Sequence, residues 1–428
     1  MYALSPLLVF LFSYVGICLL GGDFSHSSIT LVAFLLASIY ALAISKGSSQ
    51  ERLKSFSAGA GHPTVLLMVW IYVMAGAFAY CAKLMGCIEA TVDLTLHLLP
   101  TSLLLPGIFL AACFVSLAVG TSVGTIVQLT PIAVGIALKT DISMPLMVAI
   151  VVGGAYFGDN LSFISDTTIA ATQSQGCRMK DKFRANFRLV LPVALIILGI
   201  YYWLGRDAQV LQQPHPIDLL LVVPYIIVII AALAGMDVML VLLTGIVLTG
   251  AIGIWRDTFN LFGWMDSLGT GMIGMGEMIL MAMMAAGLLE LIRQNGGIDY
   301  LLRHVTRGVR SRRGAELSIS ALVCLVNICT ANNTVAILTA GPIARRIAEH
   351  YQVPPQRAAS ILDTVSCFTQ GLLPYSVQLL FAANLVSNMT GQPFSPTSAI
   401  PYLFYPMGIG LAVLVTALRS DSKRISAR

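Results

Sequence analysis

Long apolar runs recur along the chain, each close to the ~20 residues that an α-helix needs to cross a hydrocarbon core. They lie near 3–20, 29–45, 64–83, 189–205, 217–233, 237–254, 268–292 and 400–418. Two further runs are interrupted, 146–173 by a polar cluster and 358–388 at Gly371–Pro374. Residues 97–139 and 316–345 show a third pattern: two shorter apolar stretches divided by a polar tip, GTSVGT at 120–125 and TANNT at 330–334. Neither arm reads as long enough for a comfortable span, so both pairs are expected to be re-entrant hairpins. The pattern predicts an all-α polytopic membrane protein. It should have about ten transmembrane helices, two re-entrant hairpins and two helices broken at the membrane midplane.

Composition fits that class. Of the 428 residues 57% are hydrophobic and 11% charged, against roughly 25% charged in soluble domains. The first run has no basic residues ahead of it and no small-residue cleavage site, so it reads as a retained helix and not a signal peptide. The eight cysteines form no CxxC pair, which argues against a disulfide framework or a zinc site. No basic–aromatic patch suggests a nucleic-acid partner. With the N-terminus inside and both hairpins re-entrant, 21 of the 25 Lys and Arg fall in 46–63, 174–188, 293–315, 345–357 and the tail from 419. Lys83, Lys139, Arg206 and Arg256 fall outside. That asymmetry places both termini in the cytoplasm. If either hairpin crossed the membrane, the basic loops after it would move outside. Short loops and the lack of targeting extensions point to a bacterial inner membrane.

The halves repeat weakly. A shift of 211 residues lays Thr130-Pro131-Ile132-Ala133 on Gly341-Pro342-Ile343-Ala344, and Thr121-Ser122 on Asn332-Asn333. Asp159–Ala171 falls on Gln370–Ala382, pairing Ser165 with Ser376, and Pro192 loosely matches Pro406. Five crossings in each half require the halves, 1–205 and 206–428, to be inverted. Inverted repeats with a site at their interface are a transporter architecture.

The densest chemistry lies in the first break, where Asp159, Asn160, Ser162, Ser165, Asp166, Thr167 and Thr168 fall within ten residues. A carboxylate at membrane depth costs about 3 kcal/mol on insertion scales, and irregular backbone there is tolerated only in a cavity or inside protein. The tips add Thr121, Ser122, Asn332, Asn333 and Thr334, and the second break adds Gln370 and Ser376 without a carboxylate. These are oxygen ligands suited to a small hard cation. No lysine or arginine is expected among the tips, which argues against a large anionic cargo, although helix N-termini could substitute for a basic side chain. Asp159 and Asp166 in low dielectric cannot easily both ionise without a cation, so Na⁺ and H⁺ can compete for the same oxygens. Asp363 and Glu277 are weaker candidates; the alternative for Asp363 is a structural hydrogen bond between helices.

Gly154-Ala155-Tyr156-Phe157-Gly158-Asp159-Asn160-Leu161-Ser162-Phe163-Ile164-Ser165-Asp166-Thr167-Thr168 resembles the signature of the NhaC-type Na⁺/H⁺ antiporters. One position departs: Phe163 stands where that family usually has proline. The resemblance implies the ion-transporter superfamily, an elevator-like transport domain moving against a scaffold, and a homodimer. It implies no enzymatic activity and no cofactor, with Na⁺ as the transported or coupling ion held by Asp159, Asp166 and Asn333. Asn332-Asn333-Thr334 is similar to the Ser-Asn-Thr tips that bind Na⁺ in related carboxylate transporters. Some similar proteins carry organic acids or amino acids on the Na⁺ or H⁺ gradient, so a small organic solute is the second reading. An intramembrane aspartyl enzyme fits poorly, because both carboxylates come from one segment and Tyr156-Phe157-Gly158-Asp159 lacks the first glycine of GxGD. A channel fits poorly too, because closed polar tips suit alternating access.

Overall fold

The apolar runs fold as helices whose ends fall where the sequence turns polar. The computed structural model describes residues 4–21, 27–163, 165–211, 218–297, 300, 309 and 311–419. The tail beyond Arg419 and most of 298–310, which the charge count places inside, lie outside the described residues.

The first half of the chain forms α1 (Ser5–Gly21), α2 (Ser27–Ile44), α3 (Ser49–Ala60), α4 (Pro63–Leu84) and α5 (Cys87–Leu98). It continues with α6 (Leu104–Val119), α7 (Ser122–Lys139), α8 (Met144–Leu161), α9 (Asp166–Gln175) and α10 (Met179–Gly205). The second half forms α11 (Leu219–Leu233), α12 (Val238–Trp255), α13 (Leu261–Ile273), α14 (Gly276–Gln294) and α15 (Arg312–Thr330). Then come α16 (Asn333–His350), α17 (Pro355–Leu372), α18 (Val377–Thr390), the single turn α19 (Pro396–Ala399) and α20 (Phe404–Arg419). Phe12, Trp70, Ile196, Trp255 and Ile273 are exposed, as residues facing hydrocarbon should be. The chain is an all-α integral membrane protein.

Several expectations change. Among the described residues, eight helices are long and apolar enough to cross a membrane, or nine if the 55° bent pair Pro396–Tyr402 and Phe404–Arg419 is one span. Three shorter apolar helices, Ser5–Tyr14, Ile29–Ile44 and Leu219–Leu233, stand outside that count, against an expectation of about ten. Residues 46–63 are not simply a loop: α3 starts from a capping box, with Ser48 Oγ accepting from the Glu51 N–H and Glu51 Oε2 accepting from the Ser48 N–H. The 268–292 run divides at Gly274–Met275 into α13 and α14. The arms of the polar-tipped pairs are also longer than expected. Thr101–Val119, Ser122–Lys139 and Arg312–Thr330 are each 18 or 19 residues long and apolar enough to span, so arm length gives no ground for reading them as hairpins.

The 211-residue offset reappears in the helix bounds. Added to Val119, Ser122, Lys139, Met144, Leu161 and Asp166, it gives Thr330, Asn333, His350, Pro355, Leu372 and Val377, each the matching bound in the second half. The tip conformation recurs as well. Gly120 (φ 74°) and Ala331 (φ 49°) are both left-handed, and each precedes an extended N-cap residue, Thr121 or Asn332. Ala331 tolerates this less easily than glycine does. At the breaks, Ser165 and Ser376 adopt φ/ψ of −66°/136° and −68°/146° ahead of α9 and α18.

Apolar packing falls in two clusters. The larger runs through α1, α2, α4–α8, α10–α12, α14, α18 and α20, and the smaller joins α9, α15, α16 and α17 with Leu189 of α10 and Val413 of α20. Within the larger, α8 lies close on α6. A Cβ at Gly154 would meet Ala112 Cβ, and one at Gly158 would run into the Ser116 side chain, whose Oγ donates to Ala155 O at 2.6 Å. The GxxxG spacing thus lets two backbones approach directly. Gly158→Ala should destabilise the protein by about 1–3 kcal/mol, the usual cost of overpacking; an unchanged melting temperature in detergent would contradict this packing.

Candidate functional site

The break between α8 and α9 faces the tips of both polar-tipped pairs. Four helix N-termini meet there: α7 with Ser122, α9 with Asp166 and Thr167, α16 with Asn333, and α18 with Val377 and Gln378. Together with Asp159 and Ser165 they line a cavity of about 40 Å³. Asp159, the third-last residue of α8, is 3% exposed. Its Oδ1 accepts from the Ser122 backbone N–H at 3.1 Å and from Ser165 Oγ at 3.5 Å, and its Oδ2 accepts from Asn333 Nδ2 at 3.4 Å. Its backbone carbonyl, freed by the end of the helix, accepts from Thr167 Oγ1 at 3.2 Å and Thr168 Oγ1 at 3.1 Å. Thr167 and Ser165 share a hydrogen bond of 2.9 Å. Helix N-termini carry positive potential that favours a carboxylate. Among the described residues, no lysine or arginine forms an ion pair with Asp159.

The other predicted residues separate by position. Asp166 lines the same cavity but is exposed at its rim, as the first residue of α9. Thr121, Asn332 and Thr334 also line it; Asn332 caps α16 by accepting from the Val335 N–H, and Asn333 Oδ1 accepts from the Thr334 N–H. Asn160 turns away, donating to the Tyr405 hydroxyl at 2.9 Å, and Ser162 donates to Leu117 O at 2.8 Å. Gln370 lies behind the tip, donating to Ala331 O and Gln378 Oε1, and Ser376 caps α18. The second break presents Gln378 to the cavity in place of these two, and its Nε2 donates to Ser122 Oγ at 3.1 Å. Glu277, in the first turn of α14, does not line the cavity.

The expectation that no basic side chain approaches the tips is overturned by Lys182. Residues 179–188 are the start of α10 and not a loop. Lys182 is 1% exposed, and its Nζ lies 2.6 Å from Asp363 Oδ2, 2.6 Å from Thr168 Oγ1 and 2.9 Å from Asn160 O. Asn186 Nδ2, one turn further on, donates to both Asn160 O and Asp363 Oδ2. Asp363 therefore has its counter-charge, and among the described residues Asp159 is the buried carboxylate that lacks one. Lys139, counted as an outside charge, is also buried and pairs with Asp93 at 2.6 Å. A helical reading could have found Lys182: it lies on one stripe with Asn186, Leu189 and Val190, all buried.

A second cavity of about 150 Å³, mostly apolar, adjoins the first through Met68, Asn332 and Val377, and extends between Tyr72, Met278 and Met281. Met68 Sδ accepts from Asn332 Nδ2 at 3.8 Å, at the junction of the two.

An all-helical membrane protein with interrupted helices around a buried, uncompensated carboxylate belongs to the class of secondary transporters. The profile of the Na⁺/H⁺ antiporter family matches residues 1–206 and 215–418. The chain belongs to that family. It is 24% identical over 385 residues, 81% of each chain, to the Na⁺/H⁺ antiporter NhaC of Bacillus subtilis (strain 168). Over 353 residues, 72% of this chain and 73% of the other, it is 23% identical to the malate-2H⁺/Na⁺-lactate antiporter of the same organism. It is likewise 23% identical over 401 residues to the arginine/ornithine antiporter ArcD of Halobacterium salinarum, covering 85% of this chain and 79% of that one.

Proposed function

We propose that this chain exchanges Na⁺ for H⁺ by alternating access, with Asp159 as the carboxylate that takes one or the other. The observation that carries the reading is that Asp159 has no ion-pair partner among the described residues while Asp363 is neutralised by Lys182. A buried carboxylate is tolerable when protonated or when a cation sits beside it, and the hydroxyl, amide and carbonyl oxygens around Asp159 are the ligand types that Na⁺ takes. Asp166, at the rim, serves as the acceptor that a cation meets on entry. The matching helix bounds support two repeats, 1–205 and 206–428, each with a polar-tipped helix pair and a broken helix, and the basic-residue bias supports reading the pairs as re-entrant and the repeats as inverted. The basic-residue bias supports cytoplasmic termini and an inner-membrane location, and the resemblance supports a homodimer.

A second reading has its own observation. Four helix N-termini border the small cavity, and such ends recognise anionic groups of transported solutes. The adjoining cavity could take the body of a small carboxylate or zwitterion, in keeping with the cargoes named for two of the relatives.

Purified protein in liposomes carrying a pH-sensitive dye and an imposed proton gradient separates the two. Dequenching on adding Na⁺ with no organic solute is the expected result. No response to Na⁺, Li⁺ or K⁺, with proton movement appearing only when a dicarboxylate or amino acid is added, would transfer the assignment to the second reading.

A further inference from the structure

Far from the carboxylate site, three helix ends enclose an open basin of about 340 Å³. Arg312 and Glu316 come from the start of α15, Gln356 and Arg357 from the start of α17, and Thr416 and Arg419 from the end of α20. Three guanidinium groups thus face one carboxylate. Glu316 is buried and shared: its Oε2 lies 3.0 Å from Arg357 Nη2, and its Oε1 lies 3.6 Å from Arg312 Nε. Arg357 Nη2 also donates to Thr416 Oγ1 at 2.8 Å, which fixes its plane. Arg312 Nε is buried and has no hydrogen-bond partner among the described residues. Arg419 enters no ion pair among them. Among the described residues the basin therefore keeps more positive than negative side chains, on a frame that Glu316 and Thr416 hold in place.

The geometry points to a binding site for the headgroup phosphate of an anionic phospholipid. Guanidinium groups bind phosphate oxygens in a planar, two-pronged manner, and the N-termini of α15 and α17 add positive potential on the same side. The source is a lipid and not a free anion because of what leads away from the basin. Leu411, Leu414 and Leu418 of α20, spaced by three and four residues, are 63%, 46% and 40% exposed. They form an apolar ridge on a face of α20 turned away from Thr416, and Arg419, which follows Leu418 and lines the basin, is the link between the two: acyl chains lie along the ridge while the phosphate reaches round the helix end to the arginines. All three arginines also come from segments that the charge bias assigns to the cytoplasmic face, and basic pockets between helices on that side are where anionic headgroups collect.

The test uses the whole purified protein in a neutral detergent, with native mass spectrometry and thermal melting as readouts. Phosphatidylglycerol, phosphatidylcholine and inorganic phosphate are the probes. The expected result is retained phosphatidylglycerol and a melting temperature raised by it and not by phosphatidylcholine. The double variant R312Q/R419Q spares the Arg357–Glu316 pair; it should melt normally without lipid and bind phosphatidylglycerol at least tenfold more weakly. Arg419→Gln alone, at an exposed position, should show a smaller loss in the same direction if the double variant does not fold. Equal binding of phosphatidylglycerol by wild type and variant, or equal stabilisation by phosphatidylcholine, would overturn the site. Inorganic phosphate matching the effect of phosphatidylglycerol would overturn the lipid as its ligand.

Discussion

Asp159→Asn should reduce Na⁺-dependent proton movement in liposomes to the level of protein-free vesicles while the protein remains folded. The amide is nearly isosteric, and its oxygen can still accept from the Ser122 N–H and Ser165 Oγ that now hold Oδ1. It also removes a buried charge that has no ion-pair partner among the described residues, so little stability should be lost. What it cannot do is alternate between a proton and a cation. Asp166→Asn provides the contrast. Because Asp166 is exposed at the rim, its loss should raise the Na⁺ concentration needed for half-maximal exchange without abolishing exchange. Exchange surviving in Asp159→Asn, or vanishing equally in both variants, would exclude the single-carboxylate mechanism. Size-exclusion profiles and melting curves guard against a trivial loss of fold.

Lys182→Met should be among the most destabilising substitutions in the protein. It leaves Asp363, buried and with Oδ1 already lacking a hydrogen-bond partner among the described residues, without its cation. Breaking a buried pair from one side typically costs about 3–5 kcal/mol. The double variant Lys182→Met/Asp363→Leu removes both charges and should recover at least about 2 kcal/mol of that, since an apolar replacement of a whole pair is often close to neutral. Recovery should be incomplete, because the Lys182 donations to Thr168 Oγ1 and to Asn160 O are lost; Asn186 still donates to that carbonyl. Melting temperatures of the three variants in one detergent measure the coupling. Strictly additive losses would mean that the ion pair does not hold this region.

Much of the site is legible in the sequence, for one reason: polar residues crowded inside apolar runs stand out. That contrast locates the first break, both tips and the second break, and the offset of 211 residues pairs them before any coordinate is known. The relative burial of Asp159 and Asp166 is not legible. Seven residues apart, they would share a face on a continuous helix, but the extended backbone at Ser162 and at Ser165 breaks the helix between them, which buries one and leaves the other at the rim. Lys182 was hidden by its neighbours. Arg178, Lys180, Arg184 and Arg188 make the stretch look like an inside loop, whereas only a helix begun at Met179 turns Lys182 inward. Likewise α3 and α5 are too short or too polar to register as spans, and their roles depend on packing that no local pattern encodes.

The way α10 grips the break limits which parts of the protein can move. Lys182 and Asn186 hold Asn160 O, and Phe183 stacks on Phe163 with ring centroids 4.6 Å apart, where a proline would have stiffened the turn by itself. The bend thus borrows its rigidity from a neighbouring helix. If the site shifts during a cycle, the first two turns of α10 and the Asp363 segment of α17 must travel with it, since sliding past them would expose a buried ion pair. The seam along which one body glides over another has to lie elsewhere. The wall of Met68, Met278 and Met281 is suited to it, because unbranched thioether side chains re-form their contacts at little cost.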